Sequence, residues 1–408
     1  MWVIIVSAEE PFDTLHRAIG ASKGRPMQGS TLVRLRTNEK TARPGLAHKA
    51  RQVGMNPNHW YPAAFSDEVK RKQVIETRFS GEDIAVFRGE DGLVQVLENR
   101  CAHRHIKLSH GSVENCNLVC LYHGWTYDRS GELVGTKHDD FGKKLPSARV
   151  RSYPTREGYG IIWFFPGDPA LAKITPLVEI PNFEGSDAWA SMTFAYTWAA
   201  HHSMVIDNLC NLTHLWVHGR WIVYADTFLA DHTLEGDKIT LTWRHQLRRD
   251  YQYPLTRRVF GKNGGSESDT FMTYDYPYQS AVSNDRVRSN NFMLPIDDTH
   301  TKVFSLQQWK PAQIPFTKGR LFPRAMAQMV MPLLRPYVKE VFRQDGFTVE
   351  EEQIAYQRYA DKPIPEPNPA VNRFNKLTVQ KWNDYLEYGQ VGKLTEPQIA
   401  EQTRIKKL

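Results

Sequence analysis

No stretch of this chain approaches the roughly 20 consecutive apolar residues that cross a bilayer, so no helical membrane span is expected. The opening MWVIIV is too short for a secretory core, and Glu9 and Glu10 follow it where a cleavage site would need small residues. A cytoplasmic protein is therefore the expectation. Cysteine is scarce: Cys101, Cys116, Cys120 and Cys210 are the only four in 408 residues. So few in a long chain do not make a disulfide framework, which leaves metal ligation or core packing. No GxGxxG fingerprint occurs, so a nicotinamide- or flavin-binding module is not expected within this chain. Internal repeats and low-complexity tracts are also missing, which sets aside solenoids and disordered chains.

What charge there is lies unevenly. The formal net charge is +7, which by itself hints at nucleic acid. Residues 1–54, however, hold nine Lys or Arg against four Asp or Glu, so five of the seven excess charges sit there. The remaining chain is close to neutral. Residues 1–54 read as a basic, poorly periodic and disordered extension, and no nucleic-acid partner is expected.

From residue 55 onward, short β-rich runs alternate with turns: DIAVFR (83–88), LVQVLEN (93–99) and GIIWFF (160–165), separated by GED, DRSG and EGYG. A small antiparallel β domain over 55–165 is expected. The Pro-rich PGDPALAKITPLVEIP (166–181) marks a boundary. Longer alternating runs follow at 191–198, 238–247, 269–277 and 301–309, and helical patterns at 348–361 and 377–389 close the chain. Strands packed with a few helices make residues 166–408 an α+β domain.

The densest chemistry lies in CAH (101–103) and CLYH (120–123). Two thiolates and two imidazoles on two loops could hold zinc tetrahedrally or a Rieske [2Fe–2S] cluster with two Cys on one iron and two His on the other. Zinc fingers put both cysteines on one element and both histidines on another. Here each half supplies one of each, as two hairpin loops clasping a two-iron cluster would. The text CAHRHIKLSHG…CLYHGWTYDRSGEL resembles the Rieske segment of bacterial ring-hydroxylating oxygenases. His105 stands where that family usually has Gly, and Cys116 is read as packing.

That resemblance, covering residues 55–390, implies more. It implies cluster ligands Cys101, His103, Cys120 and His123, and a helix-grip (START-like) antiparallel sheet with C-terminal helices as the catalytic domain. It also implies a mononuclear Fe(II) on two histidines and one carboxylate, the facial triad of O2-activating enzymes. The family's pattern N-x-x-D-x-x-H-x3–4-H falls on Asn208, Asn211, His214 and His218. On a helix, positions 207, 211, 214 and 218 would form one stripe, with the two histidines close enough to grip one metal.

One departure stands out: Asn211 occupies the place of the pattern's acid. In relatives that acid couples a neighbouring subunit's Rieske histidine to an iron ligand. Asn hydrogen-bonds but takes up no proton at neutral pH, so Asp207, one turn earlier, is the carboxylate placed to substitute for it. For the third ligand, EEEQIAYQ (350–357) aligns Glu351 with the family's acid, although Thr348 and Glu351 also spell a capping box. Asp345, Glu352 and Asp361 are the other candidates.

The expected protein is a terminal oxygenase α-subunit, a monooxygenase or dioxygenase. A separate NAD(P)H-dependent reductase or ferredoxin reduces it, and it hydroxylates or dealkylates an apolar cyclic or aromatic substrate with O2. Relatives form head-to-tail trimers, so a homotrimer is expected, with pocket walls from residues 269–309, Trp216 and Met204. The rival readings are a Rieske electron carrier with an inert second domain and a zinc-dependent binding protein.

Overall fold

The computed structural model describes residues 45–138, 144–184, 189–219, 224–248, 266–310 and 323–389. Of the expected extension, residues 1–44 lie outside the described residues. Its last ten do not, and they are not a loose tail. A short helix, α1 (Leu46–Ala50), buries Ala47 and Ala50. His48 Nε2 donates to Lys362 O at 2.7 Å, and His202 Nε2 donates to Val53 O at 2.8 Å. The folded body thus begins near residue 45, ten residues before the boundary read from the sequence.

The first half is built of short antiparallel strands. In chain order these are β1 (Tyr61–Phe65), β2 (Gln73–Phe79), β3 (Glu82–Arg88), β4 (Val94–Glu98), β5 (Ser112–Glu114) and β6 (Asn117–Val119). There follow β7 (Thr126–Tyr127), β8 (Leu133–Gly135), β9 (Ser152–Tyr153), β10 (Thr155–Gly158) and β11 (Ile161–Phe164). They make three sheets, ordered β1-β11-β10, β2-β3-β4-β9 and β5-β6-β7-β8. The last sheet positions the Cys/His halves. Leu118 on β6 pairs with Val113 on one side and Tyr127 on the other, so the loops entering β5 and leaving β6 meet at one end. At the Pro-rich boundary, Asp168 caps a short helix, α2 (Pro169–Ile174), by accepting from Ala170 N at 2.9 Å.

The second half is one seven-stranded antiparallel sheet. Its strands are β12 (Ala190–Trp198), β13 (Tyr224–Glu235), β14 (Lys238–Leu247), β15 (Glu267–Asp275), β16 (Tyr278–Ser283), β17 (Val287–Asp297) and β18 (His300–Trp309), in the order β12-β18-β17-β16-β15-β14-β13. Among the described residues three helices complete it: α3 (His202–Cys210), α4 (Arg324–Arg358) and α5 (Pro369–Tyr388).

Alternation along each strand divides the sheet into two faces. On the outer face Phe292 packs against Trp163 and Phe304 against Phe65, at ring-centroid distances of 4.9 and 5.1 Å. That joins the sheet to the first half. The inner face carries Phe194 and Tyr196, which meet Phe342 of α4 at 5.3 and 4.8 Å, and Tyr274, which meets Phe374 of α5 at 5.5 Å. The expected α+β architecture, a β domain followed by a gripped sheet with C-terminal helices, is what the chain adopts.

Candidate functional site

Each half of the first motif is a tight loop closed by its own backbone. Cys101 N donates to Ile106 O and His105 N to Cys101 O, both at 2.9 Å; Cys120 N donates to Trp125 O at 2.8 Å. His105 sits at φ 60°, the left-handed region that suits glycine. This explains why glycine is usual there in the resembling family; here a histidine backbone occupies that region, and its ring meets Arg100 at 2.8 Å. Gly124 meets the same demand in the other loop at φ 65°, and a Cβ there would lie 2.5 Å from Lys137 Cβ. The loops bring the rings of His103 and His123 to 4.7 Å, with Trp125 stacked on His103 at 4.7 Å.

Cys101 and Cys120 are free thiols, buried in the floor between the loops. Tyr127 accepts from Ala102 N at 3.0 Å, which leaves its own hydrogen for Cys101 Sγ at 3.2 Å. His123 Nδ1 is buried without a hydrogen-bond partner. Two thiols below, two imidazoles above and an unsatisfied ring nitrogen between them suit a [2Fe–2S] cluster.

The second site lies where α4 crosses the loop after α3. Asp345 Oδ1 stands 3.2 Å from His214 Nε2 and 3.3 Å from His218 Nε2. One ligand atom from each residue falls within 4.8 Å of the others. Three adjacent ligands at about 2.1 Å from a six-coordinate metal would be about 3 Å apart, so the spacing fits. Asp345 Oδ1 is also buried without a properly aligned hydrogen bond, the condition of an acceptor aimed at a cation. Burial pushes the Asp345 carboxyl up, and the two imidazoles outweigh it, leaving its pKa below the ordinary value. For His218 burial depresses the ring, but Asp345 and Gln344 raise it overall.

Supporting groups fix this geometry. His218 Nδ1 donates to Gln344 Oε1 at 3.1 Å, so its Nε2 lone pair faces Asp345. Gln344 Nε2 in turn donates to Glu340 Oε1 at 3.0 Å, and Arg343 grips the same carboxylate. Gly346 lets α4 come close to the sheet: a Cβ there would lie 2.4 Å from Trp198 Nε1.

Several sequence expectations are corrected here. The helix expected to run through 207–218 ends at Cys210, so the four polar positions do not form one helical stripe. Asn211 turns extended at φ −106°, ψ 104°, and its Oδ1 accepts from Thr213 N and Oγ1 at 3.2 and 2.7 Å. That side-chain turn competes with further helical bonds. His214 therefore sits on a loop and His218 just beyond a 3-10 turn (Leu215–Val217).

Glu351 is not brought to the histidines. The helix is continuous from residue 324, and six residues turn it by about 600°, so Glu351 points about 120° away from Asp345 and is exposed. Nor is Thr348 an N-cap: its hydroxyl donates back to Asp345 O at 2.8 Å inside the helix. Glu352 pairs with Arg51 and Asp361 with Lys362. Of the two expected pocket-wall residues, Met204 is fully buried in the hydrophobic core and Trp216 is 89% exposed.

Asp207 and Asn211 hydrogen-bond neither His214 nor His218. Besides Thr213, Asn211 Oδ1 accepts from Asn368 Nδ2 at 3.1 Å. Asp207 Oδ1 is buried and unpartnered; burial first, and then Glu352, raise its pKa well above the usual range.

Comparison with known proteins agrees with this construction. Residues 59–154 match the Rieske [2Fe-2S] domain family, and residues 198–387 the vanillate O-demethylase oxygenase C-terminal domain family. The chain is 33% identical over 344 residues to a 4beta-methylsterol monooxygenase of Methylococcus capsulatus, covering 83% of this chain and 92% of that protein. The phthalate 4,5-dioxygenase oxygenase subunit of Pseudomonas putida is 27% identical, over 65% of this chain and 62% of its own. The crystal structure of dicamba monooxygenase bound to dicamba superposes with a TM-score of 0.65 at 19% identity, over 82% of this chain and 99% of that one. With two matching domains in series and a full-length relative at that identity, the chain belongs to the Rieske non-haem iron oxygenases, as a terminal oxygenase component that bears a [2Fe–2S] cluster and a mononuclear iron.

Proposed function

We propose that Cys101, His103, Cys120 and His123 hold the cluster, that His214, His218 and Asp345 hold the iron, and that the enzyme hydroxylates or dealkylates an uncharged, largely apolar ring system. When bound, the cluster supplies single electrons and the iron supplies O2 activation. The chain's own part is to orient and to exclude water. Gln344 fixes the His218 ring, Gly346 sets how closely α4 approaches Trp198, and Phe342 packs over Phe194 and Tyr196 beside the metal ligands. The convergence of Asp345 Oδ1 on two Nε2 atoms is the observation that carries this reading. The ring-system substrate draws on the name of the methylsterol-oxidising relative.

Electrons come from a separate reductase or ferredoxin in this reading, and a second copy of the chain delivers them to each iron. Leu121 and Tyr122, 70% and 51% exposed, flank the Rieske histidines, while Trp216 is exposed between the iron ligands. Apolar groups bared at both ends of the electron path suit a head-to-tail homotrimer. Asn211 is bound up in its turn, and Asp207, one turn earlier on α3 and buried without a partner, is the acid assigned to electron coupling, acting without a direct hydrogen bond to either iron ligand.

Metal analysis tests the proposal. The intact protein should contain about three Fe for two acid-labile sulfides, and Asp345→Asn about two, while Glu351→Gln keeps three. Two Fe per two sulfides in the intact protein would instead make it an electron carrier with an inert second domain.

A further inference from the structure

Residues directly opposite each other in an antiparallel pair share a face. The registers place Phe194 and Asn291 opposite Ser305, and Gln279 opposite Asn291. Ser289 lies opposite Gln307. All therefore share the inner face that α4 covers through Phe194 and Tyr196. Among the described residues of β12 and β14–β18, this face carries no Lys, Arg, Asp or Glu. It carries instead a belt of neutral polar groups set among Met192, Met272, Met293 and Val303.

The belt is almost satisfied internally. Asn291 Nδ2 donates to Gln279 Oε1 at 2.6 Å and to Ser289 Oγ at 3.1 Å. Gln307 Nε2 donates to Ser289 Oγ at 2.6 Å and Ser305 Oγ at 2.8 Å. Across the sheet His245 is held between Thr227 and Thr270 at 2.7 and 2.9 Å. Four buried polar atoms of this face are left over among the described residues, namely Asn291 Oδ1, Tyr196 Oη, Tyr274 Oη and Trp243 Nε1, and of these Asn291 Oδ1 alone can only accept. Asn291, only 3% exposed, has spent both amide hydrogens, and its Oδ1 meets no donor. The buried hydroxyl of Tyr196, whose ring stacks on Phe342 one turn before Asp345, also has no partner. A buried acceptor without a donor is unfavourable, and a face without cations offers a carboxylate nothing to pair with.

We propose that this inner-face belt reads an uncharged hydroxyl on the substrate, with Asn291 Oδ1 accepting its hydrogen and acting as the specificity-determining residue. The inference rests on the oxygenase reading above and adds the substrate class, an apolar ring alcohol, not an aromatic carboxylate.

The purified full chain, loaded with cluster and iron and again after iron removal, is titrated with three probes. These are a 4-methylsterol, the same steroid with hydrogen in place of its 3-hydroxyl, and vanillate. Binding is read by tryptophan fluorescence. The sterol should bind at least about tenfold more tightly than the deoxy steroid, and vanillate more weakly than either. Asn291→Leu should erase the preference for the sterol and leave the deoxy steroid within about twofold. Asn291→Ser, smaller and still polar, should fold as the parent does and retain part of the preference. Equal binding of the two steroids, an equal loss for both in Asn291→Leu, or a preference for vanillate would overturn the assignment. Product analysis with reductase and O2 separates the two readings. Hydroxyl-selective binding without any oxygenated product refutes the oxygenase function alone, and product formed without hydroxyl selectivity refutes this inference alone.

Discussion

Replacing Tyr127 with Phe removes one hydroxyl and leaves the ring in the core between the Rieske loops. That hydroxyl accepts from Ala102 N and points its hydrogen at Cys101 Sγ, 3.2 Å away. The reduced cluster carries one more negative charge than the oxidised one, so a donor to a ligating thiolate favours reduction and its loss lowers the potential. A hydrogen bond to a charged acceptor contributes about 1.5–3 kcal/mol, and only the difference between oxidation states shifts the couple. If about half of that bond energy is the difference, a one-electron couple falls by roughly 30–65 mV. A redox titration followed by visible absorption reads this directly, with far-ultraviolet circular dichroism confirming that the variant folds. A potential unchanged within about 15 mV, or raised, would show that the Tyr127 hydroxyl does not favour reduction of the cluster.

Four further outcomes are expected. Gln344→Leu frees the His218 ring and should weaken iron binding about 10–100-fold, measured by iron titration of the depleted protein; unaltered affinity would count against Gln344 as the orienting group. Gly346→Ala forces Cβ against Trp198 and should cost about 1–3 kcal/mol in denaturant unfolding as well as iron occupancy, whereas full occupancy would mean that the helix spacing is not decisive. Asp207 has a raised pKa in the fold, so its stabilising protonated form is complete below about pH 4 and is lost as pH rises. Asp207→Asn should therefore raise Tm more at pH 8 than at pH 5, and a pH-independent gain would refute the buried-carboxyl reading. Trp216→Glu should shift the sedimentation profile toward monomer and slow electron arrival at the iron while leaving cluster absorbance intact; an unshifted oligomer would remove Trp216 from the interface.

The α+β class, the strands β3, β4, β11, β12, β14, β15 and β18 and the character of the cluster site were legible because their signals are local. KITLTWRHQL was expected as a strand over 238–247 and is β14 residue for residue. The helix through the histidines was misread because 3.6-residue periodicity cannot show that Asn211 and Thr213 form a side-chain turn that stops it. The strands β13, β16 and β17 and the first twenty-four residues of α4, which contain Pro332 and Pro336, also went unanticipated. Prolines argue against a helix in sequence, and here the apolar face of Met331 and Val338 against Ala190, Met192 and Phe194 outweighs them.

The sequence by itself determined that two loops, each holding one Cys and one His a few residues apart, would meet. Short hairpins leave them nowhere else to go. Even His105 in glycine's place was visible, although its left-handed backbone was not. Which acid stands beside the two histidines was decided only by tertiary structure. Asp345 lies 127 residues beyond His218, and it reaches the histidines because α4 runs unbroken, packs Phe342 on Tyr196 and presses Gly346 against Trp198. An aligned acid such as Glu351, on the same helix but about 120° around it, cannot be told from the true neighbour until the face that the sheet buries is known.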